Sequence, residues 1–362
     1  MKLLIPGPVE VREDILKVMS EQLYTHRGQE ATEIQQNIEK NLQKILNTEN
    51  EILCSTSSGT GLMEAAIKSC TLKKAAVFSM GGFGDKWYEV ALNNGIDVDL
   101  YRAKDGEPIT PSMLKEALDK RIYDTITITH NETSTGVQNN LEELSEVYKE
   151  YKDVVVLLDT VSSCGGVRID ADKNYADIVI TSTQKCLGLP PGMAFCSLSQ
   201  KAKDRIFKIG KRGYYLDLIT LLEFVESSHQ YISTPNLSLM KATEVQLDYI
   251  VNVEGIENRF KRHEKLAKMV REFAKKHGGL FANEDYLSDT VTTINMTDCE
   301  MFEKIKKSMY DKGYFLAEGY GDLHNINFRL AHMADRTIED MKNILDLLSD
   351  IWNKESKLSG AF

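Results

Sequence analysis

Two periodicities alternate along the first two thirds of this chain. Short runs of apolar and β-branched residues have the length and composition of buried strands. They are AAVFS at Ala75–Ser79, TITIT at Thr125–Thr129, VVVLL at Val154–Leu158 and IVIT at Ile178–Thr181. Helical patterns lie between them. Ile34, Ile38, Leu42 and Ile45 recur at helical spacing. Thr110 followed by Pro111 reads as an N-cap and a first-turn proline that open a helix through SMLKEALDK. Glu142–Tyr151 reads as a further helix. Continuous apolar strands, each followed by a helix, predict a mostly parallel sheet covered on both faces. Such sheets bind ligands beyond the carboxyl ends of their strands. The residues just after each strand are therefore the functional candidates.

The last third changes character. Charged helical stretches are predicted near Leu239–Glu254, Asn258–His277, Glu300–Asp311 and Arg336–Trp352. Between them, Thr290–Asn295 (TVTTIN) and Asn327–Leu330 (NFRL) read as strands. This α+β pattern predicts a second, smaller domain. The expected division is 1–250 for the large domain, taken with the N-terminal segment, and 251–362 for the small C-terminal one; the segment before the first long helix fits either domain.

Charge and cysteine usage narrow the partners. The 362 residues carry 44 Lys plus Arg against 54 Asp plus Glu, a net charge of −10. Neutralising phosphates needs clustered cations, so nucleic acid and anionic membrane are not expected partners. The six cysteines, at 54, 70, 164, 186, 196 and 299, include no C-x-x-C pair and are too few for a disulfide framework. A reducing compartment fits them best. The start, MKLLIPGPVEVRED, reaches proline and acids too soon for a secretory signal. No run approaches the roughly 18 apolar residues of a membrane span. The expectation is a soluble, cytoplasmic protein.

Four features lie at the predicted strand ends. Ser55–Gly61 (STSSGTG) feeds a helical LMEAAIKSC, and small hydroxyl and glycine residues at a helix start make an anion site. Asp159 follows VVVLL directly, where a carboxylate suits a ring N–H⁺, a metal or a ribose. Lys185 ends TSTQK just after IVIT, a position for a Schiff-base nucleophile. Arg329 sits in NFRL, and a guanidinium captures a carboxylate with two prongs. Taken singly, each has a commoner role: a helix cap, a structural ion pair, a surface lysine, an exposed strand charge. Together they describe pyridoxal phosphate chemistry, in which an adjacent acid keeps the ring nitrogen protonated.

On these residues the chain resembles the class V aminotransferases of the fold-type-I pyridoxal-phosphate superfamily, over nearly its whole length. It is most similar to the alanine–glyoxylate, serine–glyoxylate and serine–pyruvate group. The matching motifs are PGP at Pro6–Pro8, SSGTGLMEAAI from Ser57, GGFGDKW from Gly81, THNETSTGV from Thr129, LLDTVSSCGG from Leu157, TSTQKCLGLPPGMAF from Thr181 and FRLAHM from Phe328. The resemblance implies a large domain with a mostly parallel sheet covered by helices, plus a small C-terminal α+β domain. It implies a ping-pong aminotransferase with pyridoxal 5′-phosphate joined to Lys185 as a Schiff base.

The same resemblance assigns roles. Lys185 is the general base of the proton shift, and Asp159 holds the pyridine N–H⁺. Ser58, Gly59 and Thr60 bind phosphate, with Gln184 a further donor. Phe83 stacks on one ring face and Val161 packs on the other. Ser134 reaches the ring hydroxyl, with Thr135 its neighbouring alternative. Tyr231 and Thr234 complete the phosphate cup from the partner subunit of a homodimer with shared sites. Arg329 clamps the substrate carboxylate.

Other residues compete for roles. His26-Arg27 resembles a pair in phosphoserine aminotransferases that binds the substrate's anionic end. It makes Arg27 a second substrate-binding candidate, with a helix-entry ion pair the plainer role. It also supports the alternative of a 2-aminoethylphosphonate–pyruvate or phosphoserine transaminase. His130 is a candidate near the cofactor or a structural hydrogen-bonder. Cys164 and Cys186 flank the motifs and read as small buried residues rather than nucleophiles. A third reading is a cofactor-binding subunit without turnover. Intact Lys185, Asp159 and Arg329 stand against it.

Overall fold

The computed structural model describes residues 1–296 and 298–359. Seven strands form its central sheet: β1 (Glu51–Ser55), β2 (Ala75–Ser79), β3 (Val98–Arg102), β4 (Thr125–Thr129), β5 (Val155–Asp159), β6 (Ile178–Ser182) and β7 (Ala194–Leu198). Their order is β1-β7-β6-β5-β4-β2-β3. Strands β2 to β6 pair in parallel, and β7 alone runs antiparallel to both its neighbours. Ser55 and Ser182 both pair with Ala194, so β1 ends level with β6. Every residue of β2, β4, β5, β6 and β7 is buried, as two covering helical layers require. Edge strand β3 is buried only at Val98, then alternates half-buried and exposed positions, and carries Asp99 and Arg102. That polarity hid it from a search for apolar runs.

The parallel register gathers the carboxyl ends of five strands at one edge. Helix Gly59–Cys70 follows β1 and packs beneath β5, β6 and β7; helix Gly82–Asn93 follows β2 and packs on β2, β3 and β4. Both helices begin at that edge. Gly84 makes the second approach possible, because a Cβ there would lie 2.6 Å from the Ser79 Cα.

A second hydrophobic core gathers Leu266, Val270, Phe273, Phe302, Ile305, Phe328, Leu330, Ile344, Leu348 and Trp352. It fills the space between helices Ile256–His277, Cys299–Asp311 and Ile338–Ser359 and an antiparallel sheet. That sheet has β8 (Val291–Asn295), β9 (Ala317–Glu318) and β10 (Asn327–Ala331) in the order β8-β10-β9. The predicted helix Leu239–Glu254 divides in two: an α-helix over Leu237–Asp248, then a wider π-turn over Tyr249–Glu254, which Gly255 ends at φ 80°. Ile250 belongs to the first core and Leu266 to the second, so we propose the domain division near 250. The opening residues, which the sequence left open to either domain, meet the second core. Lys2–Leu3 pairs in parallel with Tyr314–Phe315, and Leu4 is buried in the second core. Sequence distance of more than 300 residues concealed that pairing. No helix among the described residues is long and apolar enough to cross a membrane.

One buried cation fastens the two cores together. Arg259, fully buried, donates to the carbonyls of Gly165 at 3.0 Å and Cys186 at 2.7 Å. It also pairs with Glu254 at 2.6 Å and Asp335 at 2.7 Å. Replacing Arg259 by Met leaves Asp335 without its cation and the Gly165 and Cys186 carbonyls without this donor, while Glu254 keeps Arg262; it is expected to cost about 3 kcal/mol of stability. Urea unfolding measures this; a loss below about 1 kcal/mol would show that the cores are held by other contacts.

Candidate active site

A cavity of about 310 Å³ opens at the shared strand edge. Ser58, Gly59, Thr60, Phe83, Asp159, Val161, Gln184 and Lys185 line it, so eight of the thirteen residues singled out from sequence meet there. They arrive from four strand ends, those of β1, β2, β5 and β6. Asp159 is the last residue of β5, and its carboxylate accepts from the Val161 N–H at 2.8 Å. Burial pushes its pKa up to about 7; the Val161 bond opposes this, and the charge of Glu132 adds to it. Lys185 sits in the turn after β6, and its ammonium donates to the Pro6 carbonyl. Burial brings its pKa down to about 8, with a further push from the positive Arg329. No ion pair joins Asp159 to Lys185 among the described residues, so two unlike charges share the cavity unneutralised.

The helix start beside them is left open. Ser58 is the N-cap of helix Gly59–Cys70, yet its side chain makes no cap hydrogen bond. The N–H groups of Gly61 and Leu62 turn back to the Ser58 carbonyl, while those of Gly59 and Thr60 precede any intrahelical acceptor. An uncapped helix start attracts an anion through its N–H groups and dipole. A Cβ at Gly59 would lie 2.7 Å from Val161, so the cradle needs glycine.

A group with an anionic arm, an acidic ring N–H and an aldehyde fits these donors. A further sign comes from Asn131, which lines the cavity 2% exposed with both amide atoms unpartnered. Buried amides are normally satisfied, so this one awaits a ligand's polar atoms.

Arg329 stands at the mouth on β10. Its Nε donates to the Glu318 carbonyl at 2.9 Å, and no carboxylate pairs with its guanidinium among the described residues. Its carbon lies 5.6 Å from the Tyr320 ring, which stacks on Phe83 at 5.2 Å. The Lys185 nitrogen is 5.8 Å from the Phe83 ring. An aromatic pair therefore bridges the two cations.

Four sequence candidates lie elsewhere. Ser134 points away from the cavity: its hydroxyl accepts from the Gly82 N–H at 2.9 Å and donates to Glu132 at 2.7 Å. Thr133 lines the cavity in its place, with its hydroxyl against Ser162 at 2.5 Å. Both residues lie in the turn that follows Glu132, and its course sends the two hydroxyls to different partners. Arg27 is engaged with the carbonyls of Tyr231 at 2.6 Å and Ile232 at 3.2 Å, outside the cavity. Tyr231, expected to reach a partner subunit, is buried in its own chain and accepts from the Thr56 N–H at 3.1 Å. Thr234 is exposed and outside the cavity.

The remaining sequence candidates take quiet roles. His130 is buried against Ser163 at 3.0 Å, and burial lowers its pKa to about 4, so it stays neutral. Burial pushes the Cys164 and Cys186 thiols up to about 12 and 11, which leaves both inert near neutrality.

Glu132 was missed. It is fully buried and accepts from the N–H groups of Phe83 at 3.1 Å, Gly84 at 3.0 Å and Ser134 at 3.0 Å. It thus caps helix Gly82–Asn93 from a distant loop and fixes the Phe83 ring. A glutamate just after a buried strand was the only sequence signal.

Comparison with known proteins agrees with this geometry. The family model described as aminotransferase class-V matches residues 16–319. An uncharacterized aminotransferase of Methanocaldococcus jannaschii is 36% identical over 340 residues, 92% of this chain and 87% of its own. A protein named soluble hydrogenase, small subunit, from Synechococcus is 31% identical, over 92% of this chain and 88% of its own. Among solved structures, an alanine–glyoxylate aminotransferase from Nostoc superimposes with a TM-score of 0.91 at 25% identity, covering 96% of this chain and 94% of its own.

Glu132→Gln exchanges an acceptor of several donors for an amide whose own N–H groups face backbone N–H. The expected cost is about 1–3 kcal/mol of stability and, as Phe83 loosens, a clear rise in the concentration of pyridoxal phosphate needed for saturation. Thermal melting and an absorbance titration read the two effects. Wild-type values in both would remove Glu132 from this role.

Proposed function

The chain belongs to the aminotransferase class-V family, and from that premise we propose a transaminase that works with pyridoxal 5′-phosphate held at Lys185. Its donor is a small L-amino acid, serine or alanine, and its acceptor glyoxylate or pyruvate, in a ping-pong cycle. The observation that carries this reading is the convergence of Lys185, Asp159 and an uncapped helix start on one cavity, with an unpaired Arg329 at its mouth.

When bound, the cofactor supplies an aldehyde for amines and a protonated ring that draws electrons from the substrate Cα. The chain's own groups do the rest. Ser58, Gly59 and Thr60 receive the phosphate, with Gln184 beside them. The Asp159 carboxylate accepts from the ring N–H⁺ and stabilises its charge. Phe83 and Val161 flank the ring, Thr133 and Asn131 offer polar atoms at its edge, and Met63 and Pro191 help to exclude water. A lysine with a pKa near 8 has a usable fraction of free amine at neutral pH, so Lys185 can take and return the proton at the substrate Cα. The Arg329 fork receives the α-carboxylate.

The phosphoserine and 2-aminoethylphosphonate alternative loses its support, because Arg27 is committed to backbone carbonyls. We also propose a homodimer, in which exposed Thr234 remains the residue able to meet a partner. Sedimentation that gave only a 40.9 kDa species at micromolar concentration would exclude it.

Arg329→Leu is expected to lower kcat/KM for every amino-acid donor by about one to two decades, since a charge-assisted hydrogen bond contributes roughly 1.5–3 kcal/mol. Arg329→Lys restores part of this, lacking the planar fork. Amines without a carboxylate are affected far less. The measurement is the decay of cofactor absorbance on mixing with single donors. An unchanged Arg329→Leu rate with the best donor would mean that the carboxylate binds elsewhere.

A further inference from the structure

The segment before the first helix is the part of the chain that the mechanism above does not use, and it touches Lys185. The lysine ammonium donates to the Pro6 carbonyl, and Gly7 and Pro8 line the cavity. A Cβ built on Gly7 would lie 2.8 Å from Lys185 Cδ and 2.9 Å from both Cε and Nζ. Gly7 also has φ 97°, a left-handed value that disfavours other residues. Two independent requirements for glycine thus meet where the strap crosses the lysine.

The strap is anchored at its other end in the second core. Leu4 is 1% exposed there; its N–H donates to the Phe315 carbonyl at 2.9 Å, and its carbonyl accepts from the Ala331 N–H at 3.0 Å. Ala331 lies two residues beyond Arg329 on β10, so both project from the same face of the strand. The path from clamp to lysine is short: Arg329, Ala331, Leu4, then Pro6 and Lys185. Val9 continues the contact, packing against a small cluster that contains Cys186 and Ala331.

We propose that residues 4–8 form a positioning strap that holds the free amine of Lys185 against the cavity wall and sets its distance from Arg329. Gly7 and Pro6 are its positioning residues, and Leu4 is its anchor. A buried ammonium needs a hydrogen-bond acceptor, and the Pro6 carbonyl supplies one on an element tied to the carboxylate clamp rather than to the lysine's own sheet. The proposal rests on Lys185 being the reactive lysine, but the test below reads the strap whether or not that assignment holds.

The experiment is trace labelling of the cofactor-free full chain with acetic anhydride, followed by peptide mapping. Lys203 serves as the internal reference, being equally buried and held by Glu51 far from the strap. Leu4→Ala shortens the anchor without touching the cavity. It is expected to raise Lys185 labelling at least fivefold while Lys203 stays unchanged. Gly7→Ala displaces the amine directly, should raise labelling similarly, and should slow pyridoxal phosphate capture about tenfold. If Gly7→Ala fails to fold, Leu4→Ala decides alone. Labelling of Lys185 at the wild-type rate in Leu4→Ala, or an equal rise at Lys203, overturns the strap. Borohydride trapping of the cofactor on a different lysine would overturn the assignment of Lys185 and leave the labelling result standing.

Discussion

An aspartate and a lysine lie in one cavity without pairing, and much of the structure exists to permit it. Burial works most strongly against both charges, with Glu132 and Arg329 adding to it, and Asp159 rises to about 7 while Lys185 falls to about 8. Each is left near the point where it holds or releases a proton close to neutrality. Closure into a salt bridge would quench that poise. The two groups lie at the ends of neighbouring strands, β5 and β6, and each has a backbone partner of its own that competes with such a bridge: Val161 N–H for the acid, Pro6 carbonyl for the base.

The same edge receives two helix starts, and they are treated in opposite ways. Helix Gly59–Cys70 begins with its cap side chain turned away and glycine at its first position, leaving a positive end for an anion. Helix Gly82–Asn93 begins with its N–H groups filled by Glu132 and Ser134, carboxylate and hydroxyl from a loop some fifty residues away. One positive end is kept open and one is neutralised. Of these two helix starts, only the first is left open to an anion, and the Phe83 N–H is held beside it by Glu132.

The second core contributes by bringing charge to the mouth of the cavity. Arg329 reaches it because β10 presents alternate residues to opposite sides: Phe328 and Leu330 enter the core, and Arg329 faces outward toward Phe83 through Tyr320. Arg259 and the strap of residues 4–8 fix the relation between that sheet and the large one. Both connections reach Lys185 or its neighbour Cys186, so the sheet that carries Arg329 is tied to the large one by contacts made beside the cavity.

Sequence alone determined the pattern that makes such a site possible. Continuous apolar strands require burial on both faces, which forces helices between them and a parallel sheet, and Asp159, Lys185 and the SSGTG segment followed from looking just past those strands. Local chemistry was legible wherever its cause was local. Thr110 caps its helix as expected, accepting from Met113 N–H. What sequence could not decide was which side chain of a motif faces inward. Thr133 and Ser134 are both small hydroxyls, and only the course of the loop after β4 sends the first into the cavity and the second to Gly82. Long-range partners were equally hidden: Arg27 bonds to residues 204 and 205 positions away, and Tyr231 meets Thr56 175 positions away. The opening PGP joins a core built from the last third of the chain. Apolar periodicity specifies which face is buried but carries no address for the surface that covers it, so these pairings exist only once the chain has folded.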